Sequence, residues 1–325
     1  MWFLRRTRSD HEPRRAEQIC LEGSDLDGPG AVPPNPYFVD DPRNGGPPVA
    51  EPSSPGVPTE LRVRYRQTKQ FQPARRRLER NLVIGAGAPG DVYSAYNLLR
   101  TQVIRRLQEN GWNTIAVTSP SSGAGTTLTA INLAISIARE LSYTVLLVEL
   151  NLVNPSFRDI LGFQGRLGIV DYLIKDVPIP EILLNPGIDR LVVIPAGSAV
   201  TNSSELLSSP KMTQLVEELK RRYEQRIVLF DLPPVLVHDD AMAFSPLVDC
   251  ALLVVEEGET TVEDVRQALD YLRSTKILGV VLNRSIHVEK RPYPSLTSNS
   301  SSLSRRLPQE TEPAAAEDRP RGSHR

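Results

Sequence analysis

Apolar runs of strand length alternate with segments of helical period through the middle of the chain. The runs are rich in Val, Ile and Leu without polar alternation, which is typical of strands buried on both faces of a parallel sheet. This order predicts an α/β fold with a doubly wound, mostly parallel sheet. The predicted strands are 115–118, 144–150, 191–194, 227–231, 251–255 and 277–282, and the predicted helices are 127–141, 211–223 and 261–274.

A further amphipathic helix is predicted before the first strand, with Asp91 as its N-cap. We expect its apolar stripe to pack on its own domain, and a neighbouring subunit is the alternative. The stripe consists of Tyr96, Leu99, Val103 and Leu107.

Composition confines the predicted folded unit to residues 91–285. Residues 1–90 are rich in Pro and Gly, and residues 286–325 are rich in Ser, Pro, Glu and Arg without apolar periodicity. We therefore expect both ends to be disordered around a single domain. The first residues form too short an apolar run for a signal peptide, and no run of about 18 apolar residues occurs, so we expect a cytoplasmic location.

The formal net charge of -1 hides a basic arm at residues 61–80, whose single acidic residue is Glu79. Such an arm fits an anionic membrane surface or an acidic partner, and a solvated linker is an equal alternative. We do not expect nucleic acid as a partner, because no known nucleic-acid-binding motif accompanies the arm. The two cysteines, Cys20 and Cys250, argue against a disulfide framework and fit a reducing compartment, with Cys250 expected in the core.

Residues 119–128, which we call the phosphate loop, join a predicted strand to a predicted helix and contain two glycines. In the pattern G-x-x-x-x-G-K-[ST], Gly125 is the last glycine, Thr126 takes the lysine position and Thr127 supplies the hydroxyl for magnesium. Backbone amides and the positive helix end would still attract an anion. Taken alone, the loop also fits a plain strand-to-helix turn. The candidate cofactor-binding residues here are Gly123, Ala124, Gly125, Thr126, Thr127 and Leu128.

Two other strand ends carry candidate ligands. Asp231 ends an apolar strand before Leu-Pro-Pro, as a Walker B aspartate does when it orients magnesium through water. Glu149 and Asn151 follow another strand where acidic residues would be expected, which leaves one carboxylate and one amide. We predict Asp231 as the catalytic residue, Asp231 and Thr127 as the metal-binding pair, and Glu149 as a further contact to the cofactor.

Over about 93–284, the chain resembles the bacterial tyrosine kinases of capsule and exopolysaccharide assembly, which are related to ATPases of the MinD and ParA type. Beyond the phosphate loop, the resemblance rests on 195–197, 205–212, 231–236, 240–241, 246–255 and 279–284, in that order. It implies a sheet of P-loop NTPase type, with ATP and Mg²⁺ as cofactors. It also implies that Asn283 occupies a position that contacts adenine in the wider fold.

The working residues of this family carry over only in part. Its phosphate-binding lysine falls on Thr126, and the extra lysine of the MinD-type loop falls on Ser121. The residues of its D-x-D-x-R motif fall on Glu149, Asn151 and Val153. The resemblance therefore implies a relative with degenerate motifs and weak binding of ATP and Mg²⁺.

Two other family features are reduced. The oligomer-forming motif E-x-x-R-x-x-R retains Arg100 alone, and the C-terminal tyrosine cluster is reduced to Tyr293. The resemblance implies a pseudokinase that regulates polysaccharide assembly through a polysaccharide co-polymerase at the inner membrane. A paralogous kinase or a second copy is a further expected partner, and the location would be cytoplasmic and peripheral to that membrane. The alternatives are an active tyrosine kinase or ATPase, and a ParA-like scaffold.

Overall fold

A mostly parallel sheet, nine-stranded in the part of the chain described here, forms the centre of the fold. The computed structural model describes residues 2–5, 68–84, 90–221 and 225–285, with the backbone alone for 2–5. The strand order is β1-β9-β8-β3-β7-β4-β6-β5-β2, and β5 pairs with β6 in the antiparallel sense. The strands are β1 Trp2–Arg5, β2 Lys69–Gln70, β3 Thr114–Thr118, β4 Thr144–Glu149, β5 Leu184–Asn185, β6 Leu191–Ile194, β7 Arg226–Asp231, β8 Cys250–Glu256 and β9 Lys276–Ser285.

Helices cover both faces of this sheet. Neighbouring residues of β4 show the consequence, because Leu146 and Leu147 belong to different hydrophobic cores. One core contains the apolar sides of α2, α3 and α4, and the other contains those of α5 to α10. The helices are α1 Arg75–Arg80, α2 Gly90–Asn110, α3 Thr126–Ala138, α4 Phe157–Leu161, α5 Ile169–Lys175, α6 Ile179–Ile182, α7 Ser203–Leu207, α8 Pro210–Arg221, α9 Asp240–Phe244 and α10 Val262–Tyr271.

The predicted doubly wound sheet is confirmed, and so are all the strands and helices that periodicity predicted, with ends shifted by up to three residues. Every residue of β3, β4 and β8 is buried, which explains why the polar residues of these strands stand only at the strand ends. Cys250 is a core residue, as expected. The predicted apolar stripe of α2 packs in its own domain, where Tyr96, Leu99, Val103 and Leu107 are all buried.

The folded unit begins before residue 91, so the expected disorder of residues 1–90 is wrong for 68–84. Strand β2 pairs in parallel with β5, and the side chains of Val83 and Ile84 are buried in the core. The expectation failed because it weighed the Pro content and charge of a long window, whereas a few apolar residues suffice to anchor a short segment. Strand β1, Trp2–Arg5, also departs from that expectation, since it pairs in parallel with β9. Residues 1, 6–67 and 85–89, the tail 286–325, Cys20 and Tyr293 lie outside the described residues.

No helix in the described ranges has both the length and the apolar character needed to cross a bilayer.

Candidate functional site

The phosphate loop connects β3 to α3 in the backbone geometry that an anion site needs. Gly123 and Gly125 have φ angles of +88° and +84°, in the left-handed region where a side chain would be strained. Gly125 is the N-cap of α3, whose first residue is Thr126. Because the first-turn N–H groups of a helix lack intrahelical partners, the positive end of α3 faces the loop. The predicted cradle is therefore present in the backbone.

The phosphate loop is fastened to the segment that follows β7. The hydroxyl of Thr118 donates to the carbonyl of Pro233 at 2.7 Å, and the amide of Val235 donates to the carbonyl of Ser119 at 2.9 Å. These bonds bring the Leu-Pro-Pro segment and the phosphate loop together at the carboxyl end of the sheet. Asp231, the last residue of β7, therefore lies beside the loop.

The Asp231 carboxylate has the character of a cation ligand. It is fully buried, opposite Val117 of β3 and Glu149 of β4, and within the described ranges neither of its oxygens has a hydrogen-bond partner. Burial raises its pKa well above the ordinary value; the nearby Thr127 hydroxyl opposes this rise, and Glu149 adds to it. A buried carboxylate without a partner is costly, and a bound cation would relieve that cost. Asp231 and Thr127 therefore fit the magnesium ion that the sequence predicts.

Glu149 is engaged by backbone amides. Its Oε1 accepts hydrogen bonds from the amides of Ser156 and Phe157, and its Oε2 accepts one from the amide of Ala196 at 2.9 Å. Burial raises the pKa of Glu149, while these three N–H groups oppose the rise. The carboxylate thus holds the first turn of α4 and the loop after β6. Its predicted contact with the cofactor stays a prediction, and that contact would compete with these bonds.

The other positions of the second motif form a local turn. The side-chain oxygen of Asn151 accepts a hydrogen bond from the backbone amide of Asn154, three residues on, at 3.1 Å. Val153 supplies no charge at the position where the family has an arginine. In the described ranges, no group of three or more His, Cys, Asp or Glu side chains is arranged to hold a metal.

Asn283 lies directly against the phosphate loop. Its Nδ2 donates to the carbonyl of Ala124 at 2.7 Å, and its Oδ1 accepts from the amide of Arg284 at 2.9 Å. A Cβ atom at Gly125 would stand 2.3 Å from that Nδ2, so only glycine fits there. Asn283 thus lies at the phosphate loop, and its predicted contact with adenine stays a prediction.

Asp240 is a second buried acid near this end of the sheet, and residue patterns alone gave it no role. It is 1% exposed, and no partner for either oxygen is found among the described residues. Burial raises its pKa, and the Ser203 hydroxyl and His238 oppose the rise. Only its place in the family resemblance could have drawn attention to it, because it begins a short helix without periodicity.

Comparison with known proteins identifies the family of the chain. Residues 112–285 match the family model of the AAA domain, which is more than half of the chain. The chain is 29% identical over 210 residues to tyrosine-protein kinase YwqD of Bacillus subtilis, covering 64% of this chain and 87% of that protein. It is 30% identical over 192 residues to tyrosine-protein kinase CpsD of Streptococcus pneumoniae serotype 4, covering 58% and 82%. The chain therefore belongs to the AAA domain family, among the homologues of the bacterial tyrosine kinases.

A longer relative and a solved structure extend this result. The succinoglycan biosynthesis transport protein ExoP of Rhizobium meliloti is 34% identical over 177 residues, which cover 53% of this chain but 22% of that protein. The kinase domain of the Escherichia coli tyrosine kinase ETK superposes with a TM-score of 0.56 at 26% identity, covering 62% of this chain and 81% of that domain. The predicted resemblance and the P-loop NTPase type of fold are confirmed.

Proposed function

We propose that this protein is a degenerate tyrosine-kinase-like P-loop protein that regulates capsule or exopolysaccharide biosynthesis or export through protein partners. Its own phosphoryl transfer is severely impaired. The observation that carries this proposal is the phosphate loop, which keeps its backbone geometry while a neutral residue, Thr126, begins α3 at the lysine position.

The missing charges have a calculable consequence. Phosphoryl transfer depends almost wholly on positioned charge, so each lost contact raises the barrier. At about 1.5–3 kcal/mol for each charged contact, the three losses at Thr126, Asn151 and Val153 add about 4.5–9 kcal/mol. This corresponds to a factor of about 10³ to 10⁷ in rate, or about 10⁵ at mid-range. Starting from a typical kinase turnover of about 1–100 per second, the remaining rate is roughly 10⁻⁴ per second at mid-range.

The site residues still fit a weakly bound nucleotide. The loop amides would hold phosphate oxygens, Thr127 and Asp231 would hold Mg²⁺, and bound Mg²⁺ would neutralise phosphate charge. Glu149 adds little to this site while its carboxylate accepts three backbone hydrogen bonds. We therefore expect ATP and Mg²⁺ to bind weakly rather than to support fast turnover.

The expected partners follow from the family and from surface charge. The ExoP relative is by its name a transport protein of succinoglycan biosynthesis. We infer that a polysaccharide co-polymerase at the inner membrane, or a paralogous kinase, docks on this chain. The basic arm adds attraction to an anionic membrane surface, because Arg76 and Arg80 are exposed on α1. The protein would then be cytoplasmic and peripheral to that membrane.

The retained residue of the oligomer motif is used within its own chain. Arg100 donates to the carbonyl of Ser136 at 3.4 Å and lies 3.9 Å from the carboxylate of Glu140. This intramolecular engagement supports a partner-dependent regulator over the oligomer that the complete motif forms.

A binding titration tests the proposal. The chain and a Thr126→Lys, Asn151→Asp double variant are titrated with ATP, with and without Mg²⁺. We expect the double variant to bind Mg-ATP at least about tenfold more tightly, because it regains two charged contacts. Thr101→Lys, Asn110→Asp is the matched control, since it introduces the same two charges at exposed positions of α2, outside the phosphate loop. Equal affinities for the double variant and the control would reject a retained cradle that lacks only its charges.

An active enzyme is the second candidate, favoured by the unpartnered carboxylate of Asp231 beside Thr127. In that case the chain would phosphorylate tyrosine at a readily measured rate, and Asp231→Ala would abolish the activity. Phosphorylation that persists unchanged in Asp231→Ala would exclude this candidate.

A further inference from the structure

Residues 68–84, which we call the strap, contact the end of α4. Arg77 donates to the carbonyl of Asp159 at 3.2 Å, and the side-chain amide of Asn81 donates to the carbonyl of Ile160 at 3.1 Å. These carbonyls lie near the C-terminus of α4, where they have no partner inside the helix. The strap thus donates hydrogen bonds to the C-terminal end of α4, and the N-terminal end of the same helix donates to Glu149.

The same strap is fastened to α3 by one buried side chain. Asn132 accepts a hydrogen bond from the amide of Ile84 at 2.9 Å and donates one to the carbonyl of Leu82 at 3.1 Å. Asn132 is 1% exposed, and Val83, which lies between the two bonded strap residues, is equally buried. Both ends of this amide are therefore used by strap backbone, which is a strong and specific attachment inside the core.

These two helices carry the two halves of the site. Helix α3 begins directly after the phosphate loop, and the first turn of α4 donates to the Glu149 carboxylate. A ring contact extends the strap, because Phe71 packs edge-on against Phe163 with centroids 5.7 Å apart. The strap is therefore a continuous connection between α3, which follows the phosphate loop, and α4, whose first turn donates to Glu149.

We propose that the strap docks as one unit and fixes α3 relative to α4, with Asn132 as a positioning residue. Undocking at either end then loosens the other end. A partner that displaces the strap therefore changes the freedom of both α3 and α4. This inference adds a route of regulation, and its docking step does not depend on whether ATP binds.

Hydrogen exchange of the full chain without nucleotide tests the proposal. Asn132→Ala breaks the α3 end, and the double change Arg77→Ala, Asn81→Ala breaks the α4 end. We expect Asn132→Ala to speed exchange at the amides of Ser156 and Phe157 by at least about tenfold, although this variant leaves α4 untouched.

The converse effect completes the test. We expect the Arg77→Ala, Asn81→Ala variant to speed exchange at the amide of Ile84 by a similar factor, although it leaves Asn132 in place. Arg76→Ala is the matched control, because this arginine is exposed on the same helix and should leave both ends unchanged.

Changes that speed exchange only at their own end would overturn the proposal, since the strap would then be two independent contacts. An equal effect of Arg76→Ala would overturn it as well. If Asn132→Ala does not fold, exchange at Ile84 in the Arg77→Ala, Asn81→Ala variant decides alone, because that double change lies on the surface. None of these outcomes depends on nucleotide. The strap proposal can therefore be wrong while the proposed function is right, and the proposed function can be wrong while the strap proposal is right.

Discussion

Two aspartates at opposite ends of the sheet show how differently one fold treats a carboxylate. Asp249, just before β8, accepts hydrogen bonds from the amides of Asn113 and Thr114, each at 3.0 Å, and from the Thr114 hydroxyl at 2.7 Å. It also pairs with Lys220 at 2.9 Å. Burial acts to raise the pKa of Asp249, but these partners outweigh it and leave the pKa lowered.

Asp231 is more deeply buried and has no such partners. Both of its oxygens lack hydrogen bonds among the described residues, and burial raises its pKa. A structural carboxylate has all its hydrogen-bond partners within its own chain. A carboxylate beside a phosphate loop that lacks such partners is typical of a group that stabilises a ligand rather than the fold. From this difference we expect Asp249 to stabilise the fold and Asp231 to bind a ligand, and each expectation can be tested.

The largest expected effect is the loss of Asp249. Asp249→Ala should lower the free energy of unfolding by about 3 kcal/mol, because it removes a charge-assisted cluster and leaves two backbone amides without a partner. Urea denaturation measures this change. Asp270→Ala, an exposed change on α10, serves as the control and should stay within about 0.5 kcal/mol of the unchanged chain. A loss below about 1 kcal/mol for Asp249→Ala would contradict its structural role.

Glu149 resembles Asp249 in accepting hydrogen bonds from backbone amides, although it lies beside Asp231. Glu149→Gln should lower the free energy of unfolding by about 2 kcal/mol, because the new amide group turns a donor toward backbone N–H groups. Thermal or urea unfolding measures it, with the exposed Glu263→Gln as the control. If Glu149→Gln leaves stability unchanged, its three backbone bonds do not hold the loop, and a role as a ligand becomes the better account.

Asp231 should respond with the opposite sign. Asp231→Asn should raise the free energy of unfolding of the ligand-free chain by about 1–2 kcal/mol at neutral pH, because it removes a buried charge without a partner. It should also remove any stabilisation by Mg²⁺. The exposed Asp239→Asn is the control from the same loop. A destabilised Asp231→Asn chain would show that the carboxylate is as structural as Asp249.

The smallest expected effect is in the pH dependence of stability. Asp249 and Asp231 should change the free energy of unfolding in different pH ranges. The lowered pKa of Asp249 means that its stabilisation is present above the unfolded value of about 3.9 and is lost as the pH falls through the folded value below it. The raised pKa of Asp231 means that its penalty is absent below about 3.9, grows as the pH rises from there toward the folded value, and is complete above the folded value.

Unfolding of the Asp249→Asn and Asp231→Asn variants between about pH 3 and 8 measures both windows. The stability gain of Asp231→Asn should shrink on acidification before the loss in Asp249→Asn does. The reverse order would contradict the pKa directions on which the comparison rests.

Long apolar runs made the sheet predictable, and short elements escaped prediction. Strands β4 and β8 lie wholly inside the protein, so their apolar runs indicate burial on both faces. By contrast, β2 and β5 have two residues each, and they exist because they pair with each other across the chain. Such pairing is a tertiary contact that leaves no periodicity in the sequence.

The site was predictable as far as its chemistry is local. The loop glycines and Asp231 follow from their places at strand ends. The backbone bonds of Glu149 did not follow, because its partners lie on α4 and after β6, and only the folded chain brings them to β4. The attachment of the strap through Asn132 could not be predicted for the same reason. An Asn inside an apolar helix does not show which backbone groups its side chain will bond.

The central claim is that the phosphate cradle remains while the charges for chemistry are gone, and ATP turnover by the purified full chain tests it most directly. With saturating Mg-ATP, the account predicts phosphoryl transfer to water or tyrosine at or below about 10⁻³ per second. Turnover near one per second, abolished by Asp231→Ala, would contradict the account and establish an active enzyme.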